Sequence, residues 1–534
     1  MTADLDTLSP SAYAPDGELL PAALVGGRAA STDARGAGAF ERSRELFDGR
    51  VEWLTGDEAA SLEHGELEAR LEVGARELFC RLYQDHLDLR AAREPRVDRV
   101  AGVDGACHGR AERGHQRGLL TVFGAVRASR VAYRRRGREN LCPADAALNL
   151  PAETHSHGLR RLAAIESARG SFDDAVAAIE RSSGQRPGKR QAECLAQRAA
   201  TDFDGFYAQR RPPAGRPGDL LVLSCDGKGV VMRSDALREQ TRRAAATSEA
   251  KLKTRLSKGE KRNRKRIAEV GAVYDAMPVP RTASDVLPAN DAQRKAALAG
   301  PTAHGKWLTA SVIDDAATVV CEIFAEAERR DPKHARTWIA LVDGNNHQIS
   351  RIHAEARARD IDVNVVCDFV HVIEYLWKAA WSFHTEGDPA AELWVRRHAS
   401  QILAGDATKV AGQIRRAATT KHLDPGQRKG ADQAASYLTN KHHAGLLDYP
   451  TALSNGWPIA TGVIEGACRH LVKDRMDITG ARWGLPGAEA ILKLRAIISN
   501  GDFDAYWAYH LAQEHDRVHK SRYADHTIPQ HTTT

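Results

Sequence analysis

The stretches DLLVLSCDG at 219–227 and TWIALVDG at 337–344 decide the fold class that the sequence predicts. In both, a nearly continuous apolar run ends at an aspartate, Asp226 or Asp343, and a glycine follows. Short apolar runs bounded by turn signals are typical of strands that are buried on both faces. Each aspartate is therefore expected at the end of a buried strand.

Two further runs extend this pattern. KRIAEVGAVYDAMP at 265–278 and IDVNVVCD at 361–368 are rich in β-branched and apolar residues and predict strands. Helices are predicted at 345–360 and 369–383, directly after the strands that precede them. Strands of the buried type that alternate with helices indicate a mixed or parallel sheet with helices on its faces. The predicted fold class is α/β in a multi-domain chain.

A third carboxylate, Glu465, stands in TGVIEGACRH at 461–470. A helix is predicted from about Val463, and Arg469 and Lys473 follow Glu465 by four and eight residues, which predicts one shared helix face. The polar, helical segment 385–455 interrupts the α/β pattern before this helix. Glu465 joins the two aspartates only if that segment is an insertion into the core.

Two aspartates at strand ends and one glutamate on a helix are the residue types that a two-metal phosphoryl-transfer site needs. Carboxylate oxygens are hard ligands that Mg²⁺ prefers. Two such ions lie roughly 3.5–4 Å apart, so that one activates the attacking oxygen and the other steadies the leaving oxygen. The predicted cofactor is a pair of Mg²⁺ ions, with Mn²⁺ as a substitute. Asp368 is the main rival carboxylate.

The charge distribution predicts contacts with nucleic acid. The net charge of +6 is small for 534 residues, so the overall charge is weak support. Basic residues are concentrated in two segments, however, and such clusters commonly neutralise phosphates; a solvated basic face is the alternative. The clusters are Arg127, Arg130, Arg134, Arg135, Arg136 and Arg138, and Lys251, Lys253, Arg255, Lys258, Lys261, Arg262, Arg264, Lys265 and Arg266.

Two local patterns predict DNA-binding elements. Residues 118–138 alternate with period two and predict a β-hairpin with arginines on one edge, among them Arg134, Arg135 and Arg136. Residues 171–184, SFDDAVAAIERSSG, predict a helix with Ser171 as N-cap. A short basic turn and a second helix follow, which is the outline of a helix-turn-helix. Its candidate DNA contacts are Arg186, Lys189 and Arg190; a helical hairpin that binds nothing is the alternative.

The segment RRPPAGRPG at 210–218 predicts a linker, and the eight cysteines contain no CxxC pair, which favours a reduced cytosolic protein. No signal peptide and no membrane-spanning run is predicted. Six segments are expected along the chain. They are a partly disordered and then helical region at 1–100, a DNA-binding region at 101–215, the first part of a catalytic core at 216–384, a helical insertion at 385–455, the last part of the core with the Glu465 helix at 456–510, and a polar, fraying tail at 511–534.

With these motifs in this order, the chain resembles the bacterial insertion-sequence transposases of the DDE class, which have an RNase H-like core, and it is most similar to the ISKra group. The resemblance covers about residues 100–508. It rests on TVFGAVRASRVAYRRRG, CPADAALNLP, SFDDAVAAIERSSG, SCDGKGVVMR, RKRIAEVGAVYD, ALVDGNN, CDFVHVIEYLW and GVIEGACRHLVKDRMDITGARWG.

The resemblance implies that Asp226, Asp343 and Glu465 are catalytic metal ligands, with Asp226 shared by both ions. Asp368 and His371 match an Asp-x-x-His that such enzymes often carry, and they are expected to be auxiliary. The implied reaction is cleavage of DNA at the terminal inverted repeats, followed by attack of the released 3′-hydroxyl on target DNA.

The resemblance also implies a homo-oligomer, at least a dimer on DNA, located in the bacterial cytoplasm at the nucleoid. Arg469 and Lys473 are expected to steer phosphates toward the metal ions. Two alternatives stay open. One is an RNase H-like nuclease that cuts without joining strands, and the other is a domesticated DNA-binding protein with an inactive core.

Overall fold

The computed structural model describes residues 38–529, except 214, 248–251, 253, 256, 258–263 and 479. The loosely ordered N-terminus predicted for residues 1 to about 40 therefore lies almost wholly outside the described residues. The same holds for part of the second basic cluster. The described residues form two compact units, one of residues up to Leu119 with Phe123–Leu148 and the segment from Arg522, the other of Leu120–Val122 and Asn149–Ser521.

The first unit contains three helices, a β-hairpin and a short helix. They are α1 (Glu41–Thr55), α2 (Asp57–Ala60), α3 (His64–Arg93), β1 (Arg110–Thr121, of which the last two residues belong to the second unit), β2 (Gly124–Arg134) and α4 (Pro143–Ala147). The helical part expected within residues 1–100 contains the long helix α3, and a capping box between Glu63 and Glu66 fixes its start. The predicted hairpin is also confirmed, although its first strand begins earlier than expected.

The second unit begins with a group of four helices. They are α5 (His157–Arg169), α6 (Phe172–Ser183), α7 (Lys189–Ala199) and α8 (Phe203–Gln209). Ser171 caps α6 in a capping box with Asp174, and Gly184 ends it with a left-handed φ of 70°. The predicted helix, basic turn and second helix are therefore confirmed as local structure.

A five-stranded mixed sheet forms the centre of the second unit. Its strands are β3 (Leu220–Val231), β4 (Lys265–Ala276), β5 (Ala303–Ser311), β6 (Trp338–Val342) and β7 (Val363–Cys367), in the spatial order β5-β4-β3-β6-β7. The β3–β4 and β4–β5 pairs are antiparallel, whereas the β3–β6 and β6–β7 pairs are parallel. The predicted mixed sheet is confirmed, and β5 is a strand that the sequence did not predict.

Helices flank and interrupt this sheet. Five helices lie along the chain between β3 and β7, and α14 (Phe369–Ala380) follows β7. The five are α9 (Glu239–Ala246), α10 (Ala283–Val286), α11 (Asp291–Ala296), α12 (Ala316–Arg330) and α13 (Asn346–Ala358). The predicted all-α insertion is confirmed as α15 (Pro389–Leu403), α16 (Ala407–Thr420), α17 (Lys429–His443) and α18 (Tyr449–Ser454). The chain then forms α19 (Gly462–Ala467), a π-helical turn at Cys468–Lys473, α20 (Asp474–Met476), α21 (Leu485–Ser499) and α22 (Phe503–Val518).

The C-terminal segment differs from its prediction. Instead of fraying after residue 510, the chain continues α22 through Val518. Its polar side chains are buried partners of the helical group, because His510 Nδ1 lies 2.6 Å from Asp202 Oδ2 and Glu514 lies 2.5 Å from the guanidinium of Arg160. The histidine-rich composition therefore reflects a buried polar network rather than a loose tail. In the part of the chain that the structure describes, no helix is both long enough and apolar enough to cross a membrane.

Candidate metal centre

Three aspartates lie side by side where the parallel strands of the sheet run toward their carboxyl ends. The register of β3 with β6, continued by two residues, sets Asp226 beside Asp343. The register of β6 with β7, continued by one residue, sets Asp343 beside Asp368. Neighbouring strands lie about 4.8 Å apart, so the three residues form a row along one edge of the fold. The register thus sets Asp226 and Asp343 on neighbouring strands, and their joint binding of metal ions stays a prediction.

Asp226 differs from its prediction in one respect. It was expected at the end of its strand, but β3 continues through Val231 because it pairs with β4 over its whole length. Gly227 is accordingly not a turn residue. A Cβ at this position would lie 2.9 Å from Cγ2 of Ile267 on the neighbouring strand, so the glycine permits a close approach between strands. Asp226 Oδ1 accepts a hydrogen bond from the Gly227 amide at 2.6 Å.

Asp343 follows β6 directly, as predicted, and lies in a turn. Its Oδ1 accepts a hydrogen bond from the amide of Asn345 at 2.7 Å. Gly344 has a φ of +95°, which L-residues with a side chain rarely adopt. A Cβ there would also lie 2.8 Å from Oη of Tyr437 in the insertion helix α17. The turn therefore needs glycine both for its backbone conformation and for contact with the insertion.

Asp368 is fully buried and both of its carboxylate oxygens are engaged. Its exposed fraction is 0%, and Oδ1 caps α14 by accepting from the amide of Val370 at 2.8 Å. Oδ2 accepts a hydrogen bond from the hydroxyl of Thr461. Burial raises the pKa of the Asp368 carboxyl above its ordinary value, and these hydrogen bonds oppose that rise.

Thr461 connects Asp368 to the helix that carries Glu465. It precedes α19, and its carbonyl accepts the amide hydrogen of Glu465 at 3.0 Å. Asp368 therefore holds the first turn of α19 in place. Further along, Cys468 Sγ donates a hydrogen bond to Asp226 Oδ2 at 3.3 Å, so the same helical segment contacts the central strand. Burial and the Asp226 charge raise the pKa of the Cys468 thiol, which keeps it a donor.

The predicted helix face shared by Glu465, Arg469 and Lys473 stays a prediction, and the helix that carries these residues changes its type along its length. The α-helix ends at Ala467, and Cys468–Lys473 form a π-helical turn. In the π-helical turn the hydrogen bonds join residues five apart, so this part of the helix is wider than the predicted α-helix. All three side chains are exposed, and Arg469 Nε lies 3.7 Å from Asp474 Oδ1.

In one group of side chains that can ligate metals, the ligand atoms lie close enough together to hold an ion without any side-chain movement. Among the residues that the structure describes, Asp368, His371 and Glu465 are the group whose ligand atoms all lie within 4.8 Å of one another. Asp226 and Asp343 are not members of it. His371 Nδ1 also lies 3.2 Å from Glu374 Oε2. The structure thus brings the predicted ligand Glu465 together with both predicted auxiliary residues.

Oxygen ligands predominate at this edge of the sheet. The aspartate row and Glu465 offer carboxylate oxygens, which suits Mg²⁺ or Mn²⁺, and one imidazole nitrogen lies beside them. Asp226, Asp343 and Glu465 are each at least partly exposed, so a ligand approaching from solvent has access to all three. Asp368 offers oxygens only at the cost of its hydrogen bonds with Thr461 and Val370.

The predicted DNA contacts of the helix-turn-helix lie at the surface. Arg186 forms an ion pair with Glu180 at 2.9 Å, and Lys189 forms one with Asp173. Arg190 is exposed at the start of α7. Exposed pairs of this kind are weak, so the side chains are available to phosphates.

The predicted contacts of the hairpin lie at the end of β2 and just beyond it. Arg134 forms an ion pair with Glu112 at 2.7 Å, Arg135 donates to the carbonyl of Cys107 at 3.4 Å, and Arg136 is exposed. Arg130, by contrast, is largely buried in an ion pair with Asp145 at 2.6 Å, so it serves the fold of this unit.

No family model matches the chain, and no curated protein matches it.

Proposed function

We propose that this protein is a DNA transposase of the DDE class, which cleaves DNA at the ends of an insertion sequence and joins the released 3′-hydroxyl to target DNA. The observation that carries the proposal is the aspartate row at the parallel end of the sheet, with the Glu465 helix attached to it at both Thr461 and Cys468. Asp226, Asp343, Asp368 and Glu465 come from four segments that are distant in sequence, and carboxylates of this kind are what a two-metal phosphoryl-transfer site requires.

The architecture around these carboxylates supports the same proposal. An RNase H-like core is expected to be a mixed sheet flanked by helices, with the glutamate helix after an all-α insertion. The chain has such a sheet, and α15–α18 lie between β7 and α19. The insertion explains how Glu465 lies next to strands that are distant from it in sequence.

In this proposal Asp226, Asp343 and Glu465 hold two Mg²⁺ ions, and Asp368 is a positioning residue. Asp368 is assigned this role because both of its oxygens are used by the protein and because Thr461 transmits its position to the Glu465 helix. The ions, when bound, would activate the attacking oxygen and stabilise the leaving oxygen. A second assignment, with Asp368, His371 and Glu465 as the ligands, is favoured by their short mutual distances.

The protein's own contribution to the reaction is positioning and charge. In the first step a water oxygen bonds to phosphorus as the bond to the 3′-oxygen breaks, and in the second that 3′-oxygen attacks a target phosphodiester and displaces its 3′-oxygen. Both displacements need an in-line arrangement of three groups, which a rigid sheet edge supplies. Exposed Arg469 and Lys473 would attract the phosphates of the approaching strand.

The helix-turn-helix residues Arg186, Lys189 and Arg190 and the hairpin residues Arg134, Arg135 and Arg136 would bind the DNA backbone at the terminal inverted repeats. Because two DNA ends must be brought together, the active form in this proposal is at least a dimer. The proposed location is the bacterial cytoplasm, at the nucleoid.

The test is a strand-transfer assay on a duplex that carries the inverted repeats flanking the coding region. Wild-type protein with Mg²⁺ is expected to give both a cleaved end and a joined product. Asp226→Asn, Asp343→Asn and Glu465→Gln should each abolish both products, while Lys409→Gln, an exposed change in the insertion, should abolish neither. Cleavage without joining would favour the nuclease, and binding without cleavage would favour the inactive DNA-binding protein.

A further inference from the structure

A cavity of about 870 Å³ opens beside Asp343, between the core and the insertion. The turn after β6 and the start of α13 form one wall, α14 forms the second, and α17 of the insertion forms the third. The walls are joined tightly: Tyr437 Oη donates to the carbonyl of Asp343 at 3.3 Å, and the Gly344 turn lies against Tyr437 and Lys441. A ligand in the cavity would therefore lie beside Asp343, which belongs to the proposed metal centre.

Lys441 supplies a buried positive charge at this cavity. The residue is 7% exposed, and its Nζ donates to Oδ1 of Asn346 at 2.5 Å. Within the described part of the chain, no carboxylate forms an ion pair with it. A buried ammonium whose partner is a neutral amide is costly to desolvate, and an anionic ligand would offset that cost.

A second cation faces the cavity from α14. Lys378 Nζ lies 4.1 Å from the ring centroid of Tyr375, and this ring stacks on Tyr437 at 4.0 Å with an interplanar angle of 12°. Tyr375 therefore holds the exposed Lys378 by a cation–π contact at the lining of the cavity. The acidic side chains at the cavity are Asp343, which the proposal assigns to a metal ion, and Glu374, which is paired with His371.

Several of the other side chains that line the cavity can form hydrogen bonds with the edge of a nucleobase. Asn345, Gln433, Ser436 and Asn440 are exposed and present amide and hydroxyl groups. Such side chains donate and accept hydrogen bonds at once, as base edges do. Paired bases conceal their Watson–Crick edges, so these side chains could contact those edges only on unpaired nucleotides. One or two unpaired nucleotides fit the volume, which lies in the usual range for small-ligand sites of about 300–1,000 Å³.

We propose that this cavity binds one or two unpaired nucleotides of the DNA strand next to the scissile phosphate, with a phosphate at Lys441 and the base edges at the amides of α17. The inference rests on the proposed DNA-cleaving function, which it deepens by naming an unpaired segment as part of the substrate. Unpairing costs a few kcal/mol per base, and such a site would offset it.

The experiment measures DNA binding by the full chain in EDTA, so that the result does not depend on metal-ion catalysis. The probes are a fluorescent blunt duplex and the same duplex with a two-nucleotide single-stranded overhang. Wild-type protein should bind the overhang probe more tightly. Lys441→Gln should weaken binding of the overhang probe about tenfold, as expected for loss of a charge-assisted contact, and leave the blunt probe unchanged. Lys409→Gln, which removes a charge from the exposed face of the insertion, is the matched control and should change neither.

The double substitution Gln433→Ala and Asn440→Ala should also weaken binding of the overhang probe and leave binding of the blunt probe unchanged. Both positions are exposed, so this variant can be measured even if Lys441→Gln fails to fold. Ultraviolet cross-linking of an overhang carrying 5-iodouracil should label the peptide with Tyr375 or that with Tyr437. Equal affinity of wild type and both cavity variants for the overhang would overturn the proposal. If overhang binding depends on Lys441 but no DNA is cleaved with Mg²⁺, the transposase proposal fails and the nucleotide site stands.

Discussion

Substitution of Asp368 separates a positioning role from a metal-ligand role. Asp368→Ala removes the cap of α14, worth about 1 kcal/mol, and leaves the buried hydroxyl of Thr461 without its partner, worth about 1–3 kcal/mol. The free energy of unfolding should fall by about 2–4 kcal/mol. Asp368→Asn keeps an acceptor for the Val370 amide and nearly the same volume, so its effect on stability should stay within about 1 kcal/mol.

The functional expectation follows from the same contacts. If Asp368 positions the Glu465 helix through Thr461, Asp368→Asn should fold normally, retain Mg²⁺-dependent cleavage within about tenfold of wild type, and need the same Mg²⁺ concentration for half-maximal rate. Asp343→Asn should lose cleavage by a factor on the order of a hundred or more, because it removes a charge at the reacting phosphate. Urea denaturation gives the stability, and cleavage of a labelled duplex across a Mg²⁺ titration gives the activity.

Asp388 provides a matched control, since it caps α15 through the Ala390 amide at 2.8 Å in the same manner but lies at the surface. Asp388→Ala should therefore cost less stability than Asp368→Ala and leave cleavage unchanged. The reasoning is refuted if Asp368→Asn is as stable as wild type yet as inactive as Asp343→Asn, with a raised Mg²⁺ requirement. Asp368, His371 and Glu465 would then be the metal ligands.

Three further predictions concern stability. Burial raises the pKa of Glu322 to about 7 from an ordinary value of 4.5, so the folded state favours its protonated form and stability falls as pH rises from 4.5 through about 7. In urea denaturation, Glu322→Gln should stabilise the protein by up to about 3 kcal/mol at pH 8 but hardly at pH 4.5. The control Glu392→Gln, at an exposed position, should leave the free energy of unfolding unchanged at both pH values. Ser171→Ala breaks the capping box of α6 and should lower the free energy of unfolding by about 1 kcal/mol without changing the circular dichroism of the sheet. Gly344→Ala combines a φ of +95° with a 2.8 Å approach to Tyr437 and should cost more than about 1 kcal/mol, measured by thermal unfolding.

The sequence predicted those strands that contain a long apolar or β-branched run. β3, β4, β6 and β7 are interior or flanked by helices, so their apolar runs carry the signal. β5 was missed because it is an edge strand that pairs with β4 alone, and its first residues, AHGK, are largely exposed. An edge strand with a polar start has neither the alternation nor the apolar run on which the prediction depends.

The carboxylate site was predictable only in part. Asp343 lies directly after its strand as its apolar run and Asp-Gly pair predicted, whereas Asp226 lies within β3. Asp368 ends an apolar run without a following glycine, and its cap and Thr461 contacts depend on tertiary structure. The π-helical turn after Ala467 was not predictable either. Tertiary contacts hold the chain at Thr461, before α19, and at Cys468, the first residue of the turn, and the change of helix type that begins there carries no signal in local propensity.

The insertion does more than interrupt the core. Its helix α17 reaches back to the Asp343 turn through Tyr437 and Lys441, so a side chain at Gly344 would collide with the insertion. The segment that carries the Asp343 carboxylate and the cavity beside it therefore share the contact with α17. A variant that lacks the insertion should lose more than the cavity, because the segment that presents Asp343 would lose its packing partner. The position of the all-α segment, between β7 and the Glu465 helix, thus connects the proposed metal centre with the proposed single-strand site.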